Sequence, residues 1–189
     1  MITIVPYQAT WRAEFTMLGR HLRQKLGDLA LRIDHIGSTA VPGLAAKNII
    51  DIQITVRELT PPLENALNLA GYQRVGHITQ DRQNDEAHDW LKWFFQPSPA
   101  QRPVNVHVRL SGRGNQRYAL LFRDYLRACP AGAQAYARVK SALVKNPHGG
   151  GWNDLEGYYE VKNPVFDIVI GGAEVWGASI GWKMGPADY

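Results

Sequence analysis

Residues 33–56 constrain the fold of this chain more than any other segment. An apolar run ends at Gly37 and Ser38, a Pro-Gly turn follows, and a second apolar run over residues 49–56 carries Asp51 inside it. This order predicts a strand, a tight turn, a crossing segment and a second strand. A carboxylate inside an apolar strand loses its hydration unless a partner compensates for it. We therefore expect Asp51 to face a cleft rather than the core.

The turn at Gly37 has the composition of an anion-binding loop. Glycine lets the backbone approach a ligand closely, and the N–H groups of such a turn can point at a phosphate. The hydroxyl groups of Ser38 and Thr39 provide two further donors. Gly37, Ser38 and Thr39 are therefore predicted to contact a phosphate group.

The spacing of these residues resembles that of the nucleotidyltransferase superfamily, in which Gly-Ser is followed by a strand that carries two acids. Twelve residues separate Ser38 from Asp51 here, and Gln53 stands where the second acid is expected. The longer stretch over residues 35–47 resembles the GrpB family more specifically, and that resemblance covers roughly residues 4–170. It is also carried by Val5-Pro6-Tyr7, Trp11, Asn105-Val106-His107-Val108, Phe122-Arg123-Asp124-Tyr125-Leu126-Arg127, Tyr158 and Lys162.

The resemblance implies an α/β (α+β) fold with a nucleotidyltransferase-like mixed twisted sheet, helices and a helical C-terminal part. We expect a single GrpB-like domain over residues 1–189, sheet-rich to about 112 and helical over about 113–176, with a tail over 177–189. A length of 189 residues and an apolar content of 45% suit one soluble domain.

Charge and targeting signals restrict the class of partner. The net charge is +4, and the basic residues are spread along the chain, which disfavours nucleic acid and permits a small anion. The sequence contains no run of about eighteen apolar residues, the length that would predict a membrane span. The start of the chain also lacks a secretory pattern. Cys129 is the single cysteine and cannot form an internal disulfide. A cytoplasmic location is therefore expected.

Periodicity predicts the remaining elements. A helix begins at Thr10 as N-cap and stops at Gly27, and a short helix begins at Pro61. Alternation from Val104 to Leu110 predicts a central strand whose polar face meets that of Asp51. The other predicted segments are strands over 31–36, 72–78 and 90–95, a solvated polar loop over 80–89, helices from 115, over 131–145 and from 153, and a flexible breaker over 147–151.

The resemblance implies that carboxylates hold divalent ions. The predicted metal ligands are Asp51, Gln53 and His107, with Mg²⁺ or Mn²⁺ as the ion, and Asp51 and His107 are the predicted catalytic residues. One carboxylate, an amide and an imidazole make a poor Mg²⁺ cage, because Mg²⁺ prefers hard oxygen ligands. The predicted phosphate-binding side chains are Lys47, Arg109, Arg123, Lys140 and Lys162, and the secondary candidates are His35, Asn105 and Tyr158.

Three interpretations follow from these residues. The chain binds a nucleotide or another phosphorylated metabolite, with nucleotidyl transfer as the implied reaction. Alternatively, Asp51 and His107 hold a softer ion such as Mn²⁺ or Zn²⁺. The third is an inactive ligand- or partner-binding module, which the resemblance links to coenzyme A metabolism.

Each candidate residue also has a purely structural alternative. Asp51 could pair with Lys47 or Arg109, and His107 could satisfy a backbone carbonyl. Either Asp34 or His35 could reach the site, although a histidine at such a position is more often a buried hydrogen-bonding residue.

Overall fold

A computed structural model describes residues 2–81, 90–145 and 155–189 of the chain, without the side chains of 155 and 156. Its five strands form one sheet in the order β1-β2-β5-β4-β3. The central pair β2 and β5 is parallel, and the other neighbours are antiparallel. The strands are β1 Arg32–Ile36, β2 Ile50–Val56, β3 Tyr72–Arg74, β4 Lys92–Pro97 and β5 Val104–Leu110.

Within the described ranges, two helices come before β3, β4 and β5 in the chain, and three helices come after β5. They are α1 Thr10–Leu26, α2 Pro61–Leu69, α3 Gly114–Ala128, α4 Pro130–Lys145 and α5 Leu155–Ile180. The predicted α/β class, with a mixed sheet and a helical C-terminal part, is confirmed. No helix in these ranges combines the length and the apolar character that crossing a membrane requires.

The two faces of the sheet differ in polarity, because side chains alternate along each strand. On one face Ile50, Ile52 and Ile54 of β2 lie beside Val106 and Val108 of β5, and all five are buried. Helices α1 and α2 cover this face with Trp11, Phe15, Leu22, Leu63 and Leu67. The opposite face carries the polar residues of both strands, as the alternation predicted.

Several predicted boundaries need correction. The strand predicted over 72–78 ends at Arg74, two residues before Gly76. The Val75 N–H still donates a hydrogen bond to the Phe94 carbonyl oxygen at 2.8 Å. Thr10 is the first residue of α1 rather than its N-cap, whereas Gly27 ends that helix with φ 48°. The breaker at 147–151 and residues 82–89 of the predicted polar loop lie outside the described residues.

Helix α5 extends beyond the predicted boundary at 176 and contains Pro164. Proline removes one backbone donor from a helix. Packing of α5 against α3 and α4 outweighs that loss, because tertiary contacts supply most of a helix's stability.

The tail after α5 returns to the sheet and lies along β1. Tyr189 and Ile33 exchange two backbone hydrogen bonds, at 2.9 and 3.0 Å. The Asp188 carboxylate accepts hydrogen bonds from the His35 backbone N–H at 2.9 Å and from Arg123 at 3.2 Å. The tail therefore covers the outer edge of β1, the strand that enters the Gly37 turn.

Candidate functional site

The turn after β1 places Gly37 directly against Asp51. Strands β1 and β2 are antiparallel, with Ile36 opposite Asp51, so the residue after Ile36 meets the Asp51 side chain. Gly37 has φ 70°, and a Cβ at this position would collide with the Asp51 carboxylate. Both the backbone conformation and the close approach therefore require glycine here.

Asp51 points outward from the sheet, as the sequence predicted. Its side chain is 26% exposed. The Asn105 side-chain amide donates to Oδ1 at 2.9 Å, and His107 Nε2 lies 3.7 Å from the same oxygen. Burial opposes ionisation, but His107, Asn105 and Lys47 together hold the pKa of Asp51 below its ordinary value. Asp51 is therefore an anion at neutral pH.

His107 is the imidazole beside that carboxylate. Burial lowers its pKa to about 4, and nearby Arg109 and Lys92 act in the same direction against the attraction of Asp51. The ring is therefore neutral at pH 7. Its Nδ1 atom is buried and has no hydrogen-bond partner among the described residues.

Lys140 of α4 reaches the Gly37 turn from the helical side. Its Nζ donates to the Ala45 carbonyl oxygen at 2.6 Å and lies 2.9 Å from Ser38 Oγ. The residue is only 3% exposed. Burial, reinforced by the charge of Lys162, lowers the pKa of Lys140 to about 7 although Asp51 opposes the shift.

Two more lysines approach from neighbouring segments. Lys47 donates to the Tyr159 hydroxyl at 2.8 Å, and its ammonium lies 5.2 Å from the ring centre of buried Tyr158. Lys162 lies 5.0 Å from the ring centre of Phe166. Burial, together with the charge of Lys47, lowers the pKa of Lys162 to about 8.

We call Lys47, Lys140 and Lys162 the lysine cluster. The charges of all three interact with that of Asp51 and with one another. Burial is the main cause of the lowered pKa values of Lys140 and Lys162, and repulsion within the cluster adds to it, although Asp51 attracts both ammonium groups and Asp167 also attracts that of Lys162. An added anion would relieve this repulsion.

Gln53 and Arg109 lie beside this site in a separate buried network. Arg109 bonds both carboxylate oxygens of Asp81 at 2.8 Å and donates to Gln53 Oε1 at 2.6 Å. Gln53 Nε2 donates to the Gln116 carbonyl oxygen. Lys92 also bonds Asp81, at 2.7 Å. The polar groups of Gln53 and Arg109 are therefore engaged by protein.

Sequence reasoning assigned Asp81 to a solvated loop and gave Lys92 no role. No local pattern indicated this network, because the pairing of Lys92 with Arg109 in register on β4 and β5 exists only in the folded sheet. Two buried cations side by side require an anion, since unpaired buried charge is strongly destabilising. That anion is Asp81.

The remaining candidates lie around β1. His35 is on the opposite face of the sheet from Asp51, stacked on Phe15 with ring centres 4.6 Å apart, and its Nε2 lies 3.0 Å from Thr39 Oγ1. Arg123 donates to the His35 carbonyl oxygen as well as to Asp188. His35 thus contacts both Thr39 and Arg123, and the Asp188 carboxylate of the tail contacts His35 and Arg123.

Few of the described side chains at this site could act as ligands of a metal ion. Residues 2–81, 90–145 and 155–189 contain no group of three or more His, Cys, Asp or Glu side chains placed to hold a metal ion. Of the three predicted ligands, Asp51 and His107 are neighbours, whereas Gln53 bonds Arg109 and Gln116.

Fold and site together define an α/β protein in which a Gly-Ser turn, one strand carboxylate and a lysine cluster converge at the polar face of a mixed sheet. The chain belongs to the GrpB family: the family description "GrpB protein" matches residues 1–171. It is also similar to the crystal structure of the conserved protein GrpB from Enterococcus faecalis, with a TM-score of 0.69 and 26% identity over 92% of this chain and 99% of that one.

Curated relatives carry two kinds of name. A dephospho-CoA kinase of Mycolicibacterium paratuberculosis is 38% identical over 96% of this chain and 48% of its own length. A UPF0157 protein of Halalkalibacterium halodurans is 32% identical over 89% of this chain and 80% of its own. The chain therefore spans about half the length of the kinase relatives it matches.

Proposed function

We propose that this chain binds a nucleotide or a related phosphorylated metabolite at the Gly37 turn, with the lysine cluster as its phosphate-binding element. The observation that carries the proposal is the convergence of three lysines beside Asp51 and the Gly37 turn, with Lys140 buried and the other two partly exposed. Lys140 and Lys162 have pKa values of about 7 and 8 rather than the ordinary 10.5. A multiply charged anion bound beside them would favour their protonated forms, and the attraction to the resulting ammonium groups would stabilise the complex. The resemblance of this segment to nucleotidyltransferases supports the same ligand class.

The proposed pose follows from the positions of the donors. Phosphate oxygens lie at the Gly37 turn, where they accept hydrogen bonds from the Ser38 hydroxyl and the Lys140 ammonium. Lys47, which precedes β2, and Lys162 of α5 contact the other phosphate oxygens and neutralise the rest of the phosphate charge. The half-exposed ring of Tyr159, which is 38% exposed, offers a surface for the organic part of the ligand.

Among the described residues the donors do not fit a resident metal centre, because no group of three or more His, Cys, Asp or Glu side chains is placed to hold an ion, and Asp51 has His107, a nitrogen ligand, beside it. They fit a Mg²⁺ ion that arrives with the nucleotide, since Mg²⁺ commonly binds one or two carboxylates together with substrate phosphates. Asp51 would then be the protein ligand of the substrate's ion. Neutral His107, beside Asp51, is the proposed base for any transfer step.

Calorimetric titration with ATP, CTP, dephospho-CoA and coenzyme A, each with Mg²⁺, with Mn²⁺ and with chelator, tests this proposal. We expect at least one compound to bind in chelator through the lysines and more tightly with the metal through Asp51. Release of pyrophosphate from a bound triphosphate would show nucleotidyl transfer. Failure of all four compounds to bind under every condition would refute the proposal.

Matched variants separate the two contributions to binding. Asp51→Asn is nearly isosteric and should remove the gain from metal while leaving binding in chelator equal or tighter. Lys47→Met should weaken a triphosphate more than the corresponding nucleoside, because only the former carries the charge. Lys25→Met, at a solvent-exposed lysine of α1, is the control for general loss of positive charge.

The second candidate function is a ligand- or partner-binding module connected with coenzyme A metabolism. It is favoured by the names of the kinase relatives, which this chain matches over about half their length. Dephospho-CoA or coenzyme A binding without any group transfer would support it over nucleotidyl transfer.

A further inference from the structure

We propose that Ser38 and Lys140 form a nucleophile–base pair through which the chain accepts acyl groups from esters or thioesters, an activity distinct from the nucleotide binding proposed above. The two side chains come from separate parts of the fold, the turn after β1 and helix α4. Their polar atoms, Ser38 Oγ and Lys140 Nζ, are 2.9 Å apart. This is the distance at which a base can take a proton from a hydroxyl group.

The surroundings of Lys140 suit an uncharged amine. The ammonium has no direct carboxylate partner among the described residues, and its second contact is the Ala45 carbonyl oxygen, which can only accept a hydrogen bond. A neutral amine satisfies both neighbours at once, since it donates to that oxygen and its lone pair accepts the Ser38 hydroxyl proton. The geometry is therefore that of a serine–lysine dyad.

The protonation state of Lys140 is set by groups on every segment around it. Lys162 of α5 and Lys47, which precedes β2, repel its proton, whereas Asp51 of β2 attracts it. Tyr136, one turn earlier on α4, presents its ring 4.8 Å from Nζ and is itself held neutral by burial. Burial and repulsion dominate, so a substantial fraction of Lys140 is neutral at physiological pH.

Ser38 is accessible where a nucleophile needs to be. It is partly exposed, while Lys140 behind it is buried. The preceding Gly37 adopts φ 70°, which turns the chain sharply at the end of β1 and presents the hydroxyl beyond the sheet. A base within hydrogen-bond distance of an accessible hydroxyl is the arrangement that activates a serine.

The proposed step conserves atoms and charge. Ser38 Oγ bonds to the carbonyl carbon while Lys140 Nζ takes the hydroxyl proton. The bond from that carbon to the leaving oxygen or sulfur then breaks, and the leaving group takes the proton from the Lys140 ammonium. Ser38 is left as an acyl ester, and water deprotonated by Lys140 releases the acid by the same steps in the second half-reaction.

Two probes test this inference on the full-length chain. A fluorophosphonate loses fluoride to an activated serine and leaves a stable adduct, which peptide mass spectrometry can place on Ser38. The ester 4-nitrophenyl acetate reports acyl transfer through nitrophenolate release. We expect the adduct on Ser38, with a labelling rate that rises with pH and is half-maximal near pH 7, where Lys140 loses its proton.

Lys140→Arg is the decisive variant, because arginine keeps the positive charge and the donors but has no lone pair at this pH. We expect its labelling rate to fall about a hundredfold or more, the usual contribution of a general base. Ser38→Ala should abolish labelling. Ser179→Ala and Lys25→Met, at exposed positions on α5 and α1, should label as the parent does.

The outcomes distinguish this inference from the proposed function. A Ser38 adduct that forms in the parent and is lost in Lys140→Arg supports the dyad, whether or not either protein binds a nucleotide. Absence of a Ser38 adduct in the parent, or equal labelling of the parent and Lys140→Arg, would overturn it. If Lys140→Arg fails to fold, as judged by circular dichroism, a parent labelling rate that stays flat between pH 6 and pH 9 overturns it instead.

Discussion

Anion binding at the lysine cluster should take up protons at alkaline pH. At pH 8 Lys140, with a pKa of about 7, is mostly neutral, and Lys162, with a pKa of about 8, is half charged. A bound phosphate chain favours the charged form of both groups. Binding should therefore take up about 1.4 protons at pH 8, roughly 0.9 at Lys140 and 0.5 at Lys162, and the association constant should fall about 25-fold per pH unit near that pH.

Calorimetry measures this uptake directly. ATP is titrated in chelator at pH 8 in two buffers of different ionisation enthalpy, so that the difference in heat gives the number of protons. Work above pH 7.5 avoids the protonation of phosphate itself, whose second pKa is about 6. Lys140→Met should reduce the uptake to roughly half a proton, and Lys25→Met should leave it unchanged. Equal heats in both buffers, or constant affinity from pH 8 to pH 9, would refute the reasoning.

The same shifts have the opposite consequence for the ligand-free protein. The folded state binds fewer protons than the unfolded state, in which the lysines have their ordinary pKa of 10.5. The free energy of unfolding contributed by Lys140 and Lys162 should therefore rise as pH increases from about 7 towards 10.5. Ligand binding and ligand-free stability thus have opposite slopes with pH over the same interval.

Four substitutions test other parts of the structure by urea denaturation. Gly37→Ala should cost more stability than Gly43→Ala, because both have positive φ but a Cβ meets the Asp51 carboxylate only at Gly37, while Gly43 has open space around it. Asp81→Asn should cost about 3–5 kcal/mol, since it leaves two buried cations without their anion. Asp188→Asn should cost about 1–3 kcal/mol and speed hydrogen exchange at the His35 amide, which loses its charged acceptor. Equal costs at the two glycines, an unchanged midpoint for Asp81→Asn, or unaltered exchange at His35 would contradict these predictions.

The sequence carried enough information to place the central strands and Asp51. Alternation in β5 and the apolar run of β2 predicted two strands with matching faces, and the structure pairs Asp51 with Asn105 in register. Periodicity is a local property, so it can be read without knowing the fold. The outward direction of Asp51 followed from the desolvation cost of the alternative.

Partners across long sequence distances could not be read this way. Asp81 and Arg109 are 28 residues apart, and nothing local indicates that a loop carboxylate folds inward. The burial of Lys140 had a weak local signal, because it follows Ala133 and Tyr136 at helical spacing on the buried side of α4. The charge of a lysine by itself predicts an exposed side chain. The helical spacing therefore indicates that Lys140 is buried only when its contact with the Gly37 turn is known.

The path of the tail along β1 has a consequence for biosynthesis. His35 and Asp188 are separated by 153 residues, and ribosomes add about 5–20 residues per second. The outer edge of β1 therefore stays uncovered for roughly 8–30 s, until the tail has been synthesised. Uncovered strand edges pair readily with other chains, so a nascent chain is most prone to misassembly during this interval, and slower translation of the last helix would prolong it.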